Sequence, residues 1–166
     1  MSRVYLPSTL AGLRTLLDTG SCGEPPLPGY AVTPALREWY AEGDTEELEY
    51  TALSLAAKAS VRLLDADQDV VRRRVVVVVE VADELVAPAA HVDRAAVKLI
   101  AEVTLRQVQA VHVDDPDAIP DVTVAADAVI EADLGSEEAA FRVEQAEGHE
   151  LQWYATQEIG ALVELG

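Results

Sequence analysis

The sequence predicts an α+β (or α/β) fold, one mixed β-sheet of about five strands covered by helices. Three observations carry this reading. Stretches with apolar residues at helical spacing alternate with short extended runs. A run of five valines, residues 75–79, breaks the period-two alternation of a half-buried strand and so asks for cover on both faces. Prolines and glycines punctuate element boundaries and never gather into a linker, so residues 1–166 read as a single globular domain.

Taken in order, "RVYLP" (3–7) alternates Val4 and Leu6 against Arg3 and Tyr5, a short strand closed by its proline. Ser8 or Thr9 can cap a helix whose Leu10, Leu13 and Leu17 share a face, with Gly20 at its C′ position. Residues 20–29, "GSCGEPPLPG", are a loop by composition. Thr33-Pro34 opens a helix over 34–42 that Gly43 stops. Asp44 with Glu47 forms a capping box for a longer helix, about 45–65, with Leu48, Ala52, Leu55, Ala59 and Leu63 as its buried stripe.

Residues 71–81 read as a strand, since β-branched side chains favour extended backbone. "DELVAPAAH" (83–91) is turn-rich, and 97–103 is a further strand. Thr104 and Gln107 box a short helical turn, and 109–115 is the next strand. Asp115-Pro116 then starts a helix carried by "VTVAADAVIEAD", and Ser136 starts another that Gly148 breaks. Residues 149–155 are a last strand, and Thr156 caps a final helix.

Thirty acids against twelve bases leave a net charge of −18. Nucleic-acid affinity rests on phosphate neutralisation by Lys and Arg, so a polyanion is not the expected partner, nor is an anionic membrane surface. The one cysteine, Cys22, excludes an intrachain disulfide and a thiolate metal cluster. No apolar run approaches the roughly 20 residues of a membrane span, and the N-terminus lacks a basic region followed by a long apolar stretch. A cytoplasmic protein is expected.

Common catalytic signatures are absent from the text. There is no G-x-S-x-G elbow, P-loop, G-x-G-x-x-G, HExxH or CxxC. The strongest polar cluster is "HVDDPD" (112–117). On an extended strand His112 and Asp114 point the same way, which suits a base with its orienting acid, or two metal ligands. Such a pair at the carboxyl end of a strand entering a helix lies where open α/β sheets place ligands, with Glu158 as a second carboxylate. The plain alternative is that Asp115 caps a helix, Asp114 solvates a turn and His112 is half-buried.

Aromatic rings offer a second set of candidates: Tyr5, Trp39, Tyr40, Trp153 and Tyr154. Trp39 and Tyr40 are adjacent on a helix, about 100° apart, and cannot both face one core. Rings left at the surface furnish pockets and interfaces. Arg72 and Arg74 share one face of the strand while Arg73 takes the other, so the pair could hold an anion. In so acidic a chain the simpler role is pairing with carboxylates at the strand's entry.

The segments "RVYLP", "AVTPALREWYAEGDTEELEY", "RRRVVVV", "AVHVDDPDA" and "HELQWYATQEI" span the chain from end to end. On them the chain resembles an uncharacterised family of small actinobacterial proteins. The resemblance implies no activity, cofactor or catalytic residue. With catalytic signatures missing, aromatic rings in surplus and a strongly acidic surface, the expectation is an accessory or protein-interaction domain without catalytic activity, cofactor or metal, whose partner is another protein or a second copy. The competing expectation is a small-molecule binder or enzyme with its site around His112 and Asp114.

Overall fold

The computed structural model describes residues 1–165, which form seven strands and six helices. In chain order these are β1 (Ser2–Ser8), α1 (Leu10–Thr19), β2 (Leu27–Tyr30), α2 (Pro34–Trp39), α3 (Thr45–Ala66), β3 (Val75–Val81), β4 (Val86–Pro88), β5 (Ala96–Leu99), β6 (Val108–Asp114), α4 (Ile119–Asp133), α5 (Glu137–Glu147), β7 (Leu151–Ala155) and α6 (Ile159–Leu165). The fold is α+β. Its strands lie in the order β4-β5-β2-β1-β3-β6-β7, and every pairing is antiparallel. The sheet is thus larger than the expected five strands and is not mixed.

Two strands account for the difference. β2 lies in the stretch read as loop, because Pro28 and Gly29 erase the strand signal while leaving a short extended segment able to pair with β5. β4 lies in the turn-rich 83–91 segment as a three-residue edge strand ending at Pro88. The strand expected over 97–103 is only Ala96–Leu99. The helix expected over 34–42 ends at Trp39.

Both sheet faces are covered, as the valine run requires. Val75, Val77 and Val79 pack with Leu10, Leu13, Leu16 and Ile159 under α1 and α6. Val76 and Val78 pack with Tyr5, Ala52, Ala56 and Ala57 under α3. Each fully buried valine is worth roughly 1.5–3 kcal/mol, so this strand anchors two cores at once. α4 and α5 pair with each other and with the end of α3 around Val61, Leu64, Val122 and Val129.

Helix termini follow the predicted chemistry, but the stripes shift. Thr9, Thr33, Asp44 and Ser136 each accept a backbone N–H at an N-terminus. Gly20 takes a left-handed conformation at the end of α1, where a Cβ would be strained. In α1 Leu16 is buried and Leu17 is exposed. In α3 the buried set is Leu48, Ala52, Ala56, Ala57, Ser60, Val61 and Leu64, while Leu63 faces solvent. The expected stripe takes one three-residue step, from Ala52 to Leu55, whereas the buried face continues in fours through Ala52, Ala56, Ser60 and Leu64, with Ala57 and Val61 beside them. Thr156 donates to the Val108 carbonyl, and the Glu158 carboxylate takes the Ala155 N–H in the cap position.

Candidate functional site

The three arginines precede β3, which begins at Val75, and each has a separate task. Arg72 closes the end of α3: its Nη1 donates to the Leu64 and Asp67 carbonyls at 2.6 and 2.9 Å, and its Nη2 to Gln68. A cation on the unpaired carbonyls of a helix C-terminus is favourable for both hydrogen-bonding and dipole reasons. Arg73 donates Nε to the Asp114 carbonyl. Arg74 makes a bidentate pair with Asp114, Nε to Oδ2 and Nη2 to Oδ1, both at 2.8 Å. Of the two anion-binding candidates, Arg72 bonds carbonyls rather than carboxylates, and Arg74 is held by a carboxylate.

The sheet register makes the pair. Val75 lies opposite Val113, so the next position brings Arg74 beside Asp114, and their side chains share the α3 face. Asp114 Oδ2 also accepts the Arg74 N–H, while the Asp114 N–H donates to the Arg74 carbonyl. Asp114 is fully buried and does not solvate a turn; Arg73 and Arg74 are 6% and 3% exposed. The carboxylate of Asp114 thus bonds Arg74 alone, and its backbone carbonyl takes Arg73.

A cleft of about 390 Å³ opens over this centre, between α3, the end of α5 and the start of β7. Its apolar wall includes Leu53, Ala57 and Leu151; Ser54, Lys58 and His149 add polar groups, and Arg74 reaches it from below. At the side of the cleft His149 Nε2 lies 2.7 Å from Asp121 Oδ2, and the His149 carbonyl accepts from Arg74 Nη2. His149 and Asp121 carried no sequence signal as a pair, since 28 residues separate them and helix α5 lies between.

The remaining candidates are spread over the molecule. His112 is half-buried, opposite Val76 on one side and Trp153 on the other, and burial lowers its pKa. Glu158 is committed to the Ala155 N–H, and Asp114 to the arginines. No cluster of three or more His, Cys, Asp or Glu able to hold a metal occurs among the described residues. Trp39 is 60% exposed and stacks its ring 3.5 Å from the Arg94 guanidinium carbon; Tyr40 beside it is also exposed, so neither faces the core. Tyr154 is half-buried against the α1/α6 core.

Tyr5 is buried and donates its hydroxyl to Glu49 at 3.1 Å; burial and that carboxylate push its pKa up to about 12. Glu49 also accepts from Arg3, which reaches Glu80, and these groups line a cleft of about 720 Å³. That larger cleft lies at the other end of the sheet. Glu80 is six residues along from Arg74, roughly 20 Å at the rise of a strand.

β7 is the outermost strand at one end of the sheet. It pairs with β6 along five residues and, among the described residues, has no strand on its outer side. The Asp114 N–H points to β3, so alternation turns Val111 and Val113 toward β7, with Tyr154 and Gln152 facing back. The backbone groups of Leu151, Trp153 and Ala155 then point outward. The Ala155 N–H is the one Glu158 takes. Trp153 stands at the middle of this edge with 62% of its surface exposed.

No described helix is long and apolar enough to cross a membrane. Residues 2–163 match the model of a family of unknown function (DUF6912), and the chain belongs to that family. No curated protein and no solved structure matches it.

Proposed function

We propose that this member of the family is a cytoplasmic, non-catalytic protein-interaction module that takes up an extended basic segment of a partner as an added strand beside β7. The observation that carries the reading is the contrast between the sheet's two edges. β4 is blunted in the usual ways, being three residues long and ending in a proline. β7 is longer, has no Pro and no Lys, and carries an exposed Trp on outward-facing backbone. Such an edge offers main-chain hydrogen bonds for affinity and side-chain contacts for selectivity, the mode of strand addition.

Charge chooses the occupant. The edge is flanked by exposed Glu150 and Glu158, with exposed Asp117 near the end of β6, in a chain of net charge −18. A second copy brings the same acids, whereas a segment with Lys or Arg alternating with aliphatic residues complements them and lays its apolar side on Trp153.

Selection of short displayed random peptides on the protein tests this. Basic, alternating sequences should be enriched, and their binding should weaken with salt. The Trp153→Pro variant should bind roughly tenfold or more weakly, a loss of about 1.4 kcal/mol or more. Proline is tolerated on an edge when its missing N–H would face outward, so the variant should fold. Equal binding by that variant, or enrichment of no such peptide, would sink the proposal. Self-association along β7 would replace the peptide with a second copy.

A further inference from the structure

We infer that the cleft over Arg74 is a binding site for a small monocarboxylate with a short apolar body. The first ground is the guanidinium itself. Arg74 commits Nε and Nη2 to Asp114 and the His149 carbonyl, and its Nη1 makes no hydrogen bond among the described residues. No fully buried side-chain polar atom among those residues lacks a partner, so Nη1 meets open space. The cleft is the space that Arg74 lines. A donor on an otherwise enclosed, permanently charged group thus faces a cavity of about 390 Å³, within the range of small-molecule sites.

The second ground is charge. Arg73 and Arg74 are both more than nine-tenths buried; the Asp114 carboxylate pairs with Arg74, while Arg73 has only the neutral Asp114 carbonyl. Buried charge is costly unless compensated, and with Asp114 the one carboxylate among the buried residues there, one positive charge is left over. Arg74 is the guanidinium that reaches the cleft. A monoanion matches that excess. Glu147 on the cleft wall, 4.0 Å from Lys58, opposes a second negative charge and so disfavours a phosphate dianion. Leu53, Ala57 and Leu151 give an aliphatic body its contact surface, and Lys58 lies within the same wall for the second carboxylate oxygen. The Asp121 contact fixes the His149 ring at the side of the site.

The site shares only Leu151 with β7, and its test does not depend on a protein partner. Uniformly ¹⁵N-labelled protein is titrated with a linear series from acetate to hexanoate, following the Arg74 Nε–H signal and the amides of residues 54–58 and 149–151. Affinity should rise along the series and saturate, with hexanamide and inorganic phosphate at least tenfold weaker. Removing Arg74 would strand Asp114 and could unfold the chain, so the variant is Ser54→Trp, which fills the cleft from an exposed position on α3. It should abolish the hexanoate shifts while leaving the thermal midpoint unchanged, and Lys58→Ala should weaken them several-fold. Absence of saturation, equal binding of the amide or phosphate, or unchanged binding by Ser54→Trp would each overturn the site.

Discussion

Asp114 receives three hydrogen bonds on its carboxylate oxygens, all from Arg74, and gives its own carbonyl to Arg73. It ties the entry of β3 to the end of β6 and, through Arg74 and the His149 carbonyl, to the approach of β7. Breaking a buried pair by removing one partner leaves an uncompensated charge, so Asp114→Ala should cost about 3–5 kcal/mol in urea unfolding. The double replacement Arg74→Met with Asp114→Leu should recover most of that loss, because it removes both desolvation penalties. A double variant no more stable than the single one would argue that the Arg73 and His149 contacts dominate.

Two other side chains give pH-dependent readouts. Burial pushes the Cys22 thiol up to about 11, so alkylation should be slow near neutral pH and still climbing at pH 10. A plateau near pH 8.5 would contradict the burial. For His112 burial lowers the folded pKa below its ordinary value. The unfolded chain therefore binds the proton more readily than the folded one. The contribution of this residue is present above the unfolded pKa, about 6.5, and is lost as pH falls through the folded value. His112→Phe should reduce the fall in stability between pH 7 and pH 5, as seen by urea unfolding at each pH.

At the element scale, β2 shows what the sequence concealed and why. Its Gly29 passes so close to β1 that an added Cβ would lie 2.8 Å from Val4 Cγ1 and 3.2 Å from the Tyr5 carbonyl oxygen. Val4 cannot rotate away freely and the carbonyl is backbone, so Gly29→Ala should cost about 1–3 kcal/mol, measurable in thermal unfolding. A neutral result would mean that β1 and β2 can separate, as their single residue pairing, Tyr5 with Tyr30, allows in principle.

A glycine that read as loop is here the residue that permits close strand approach. β4 was hidden differently, by brevity. By contrast, the valine run was legible because a strand buried on both faces has its own pattern, and the N-caps were legible because their chemistry is local. The candidate site was half legible. Asp114 and Arg74 stood out singly by type, but their partnership depends on β3–β6 register across 40 residues. His149 and Asp121 were invisible as a pair for the same reason. Local rules report local contacts, and the polar centre is built from four separate stretches of the chain.

Across the whole molecule, charge is sorted by depth. Thirty acids lie in a chain with twelve bases, yet the residues buried beside Asp114 are two arginines, of which only Arg74 bonds its carboxylate. The exterior is correspondingly more acidic than the total suggests. Surface ion pairs such as Arg3–Glu49, Arg62–Asp133 and Arg142–Glu138 use up some of the remaining bases, and exposed pairs of this kind contribute little. Self-repulsion among unpaired carboxylates should then limit stability at low ionic strength.

Raising NaCl from about 10 mM to about 150 mM shortens the screening length from roughly 30 Å to roughly 8 Å. Screening weakens repulsion between exposed acids much more than it weakens the enclosed Arg74–Asp114 pair. If it relieves about 1 kcal/mol, the thermal midpoint should rise by about 2–4 °C for a chain of this size. Differential scanning calorimetry across that range reads the sign directly. A midpoint that falls with salt would mean that exposed ion pairs outweigh the excess of acids. The same salt series should weaken a basic peptide at β7, so stability and peptide affinity are expected to move in opposite directions as ionic strength rises.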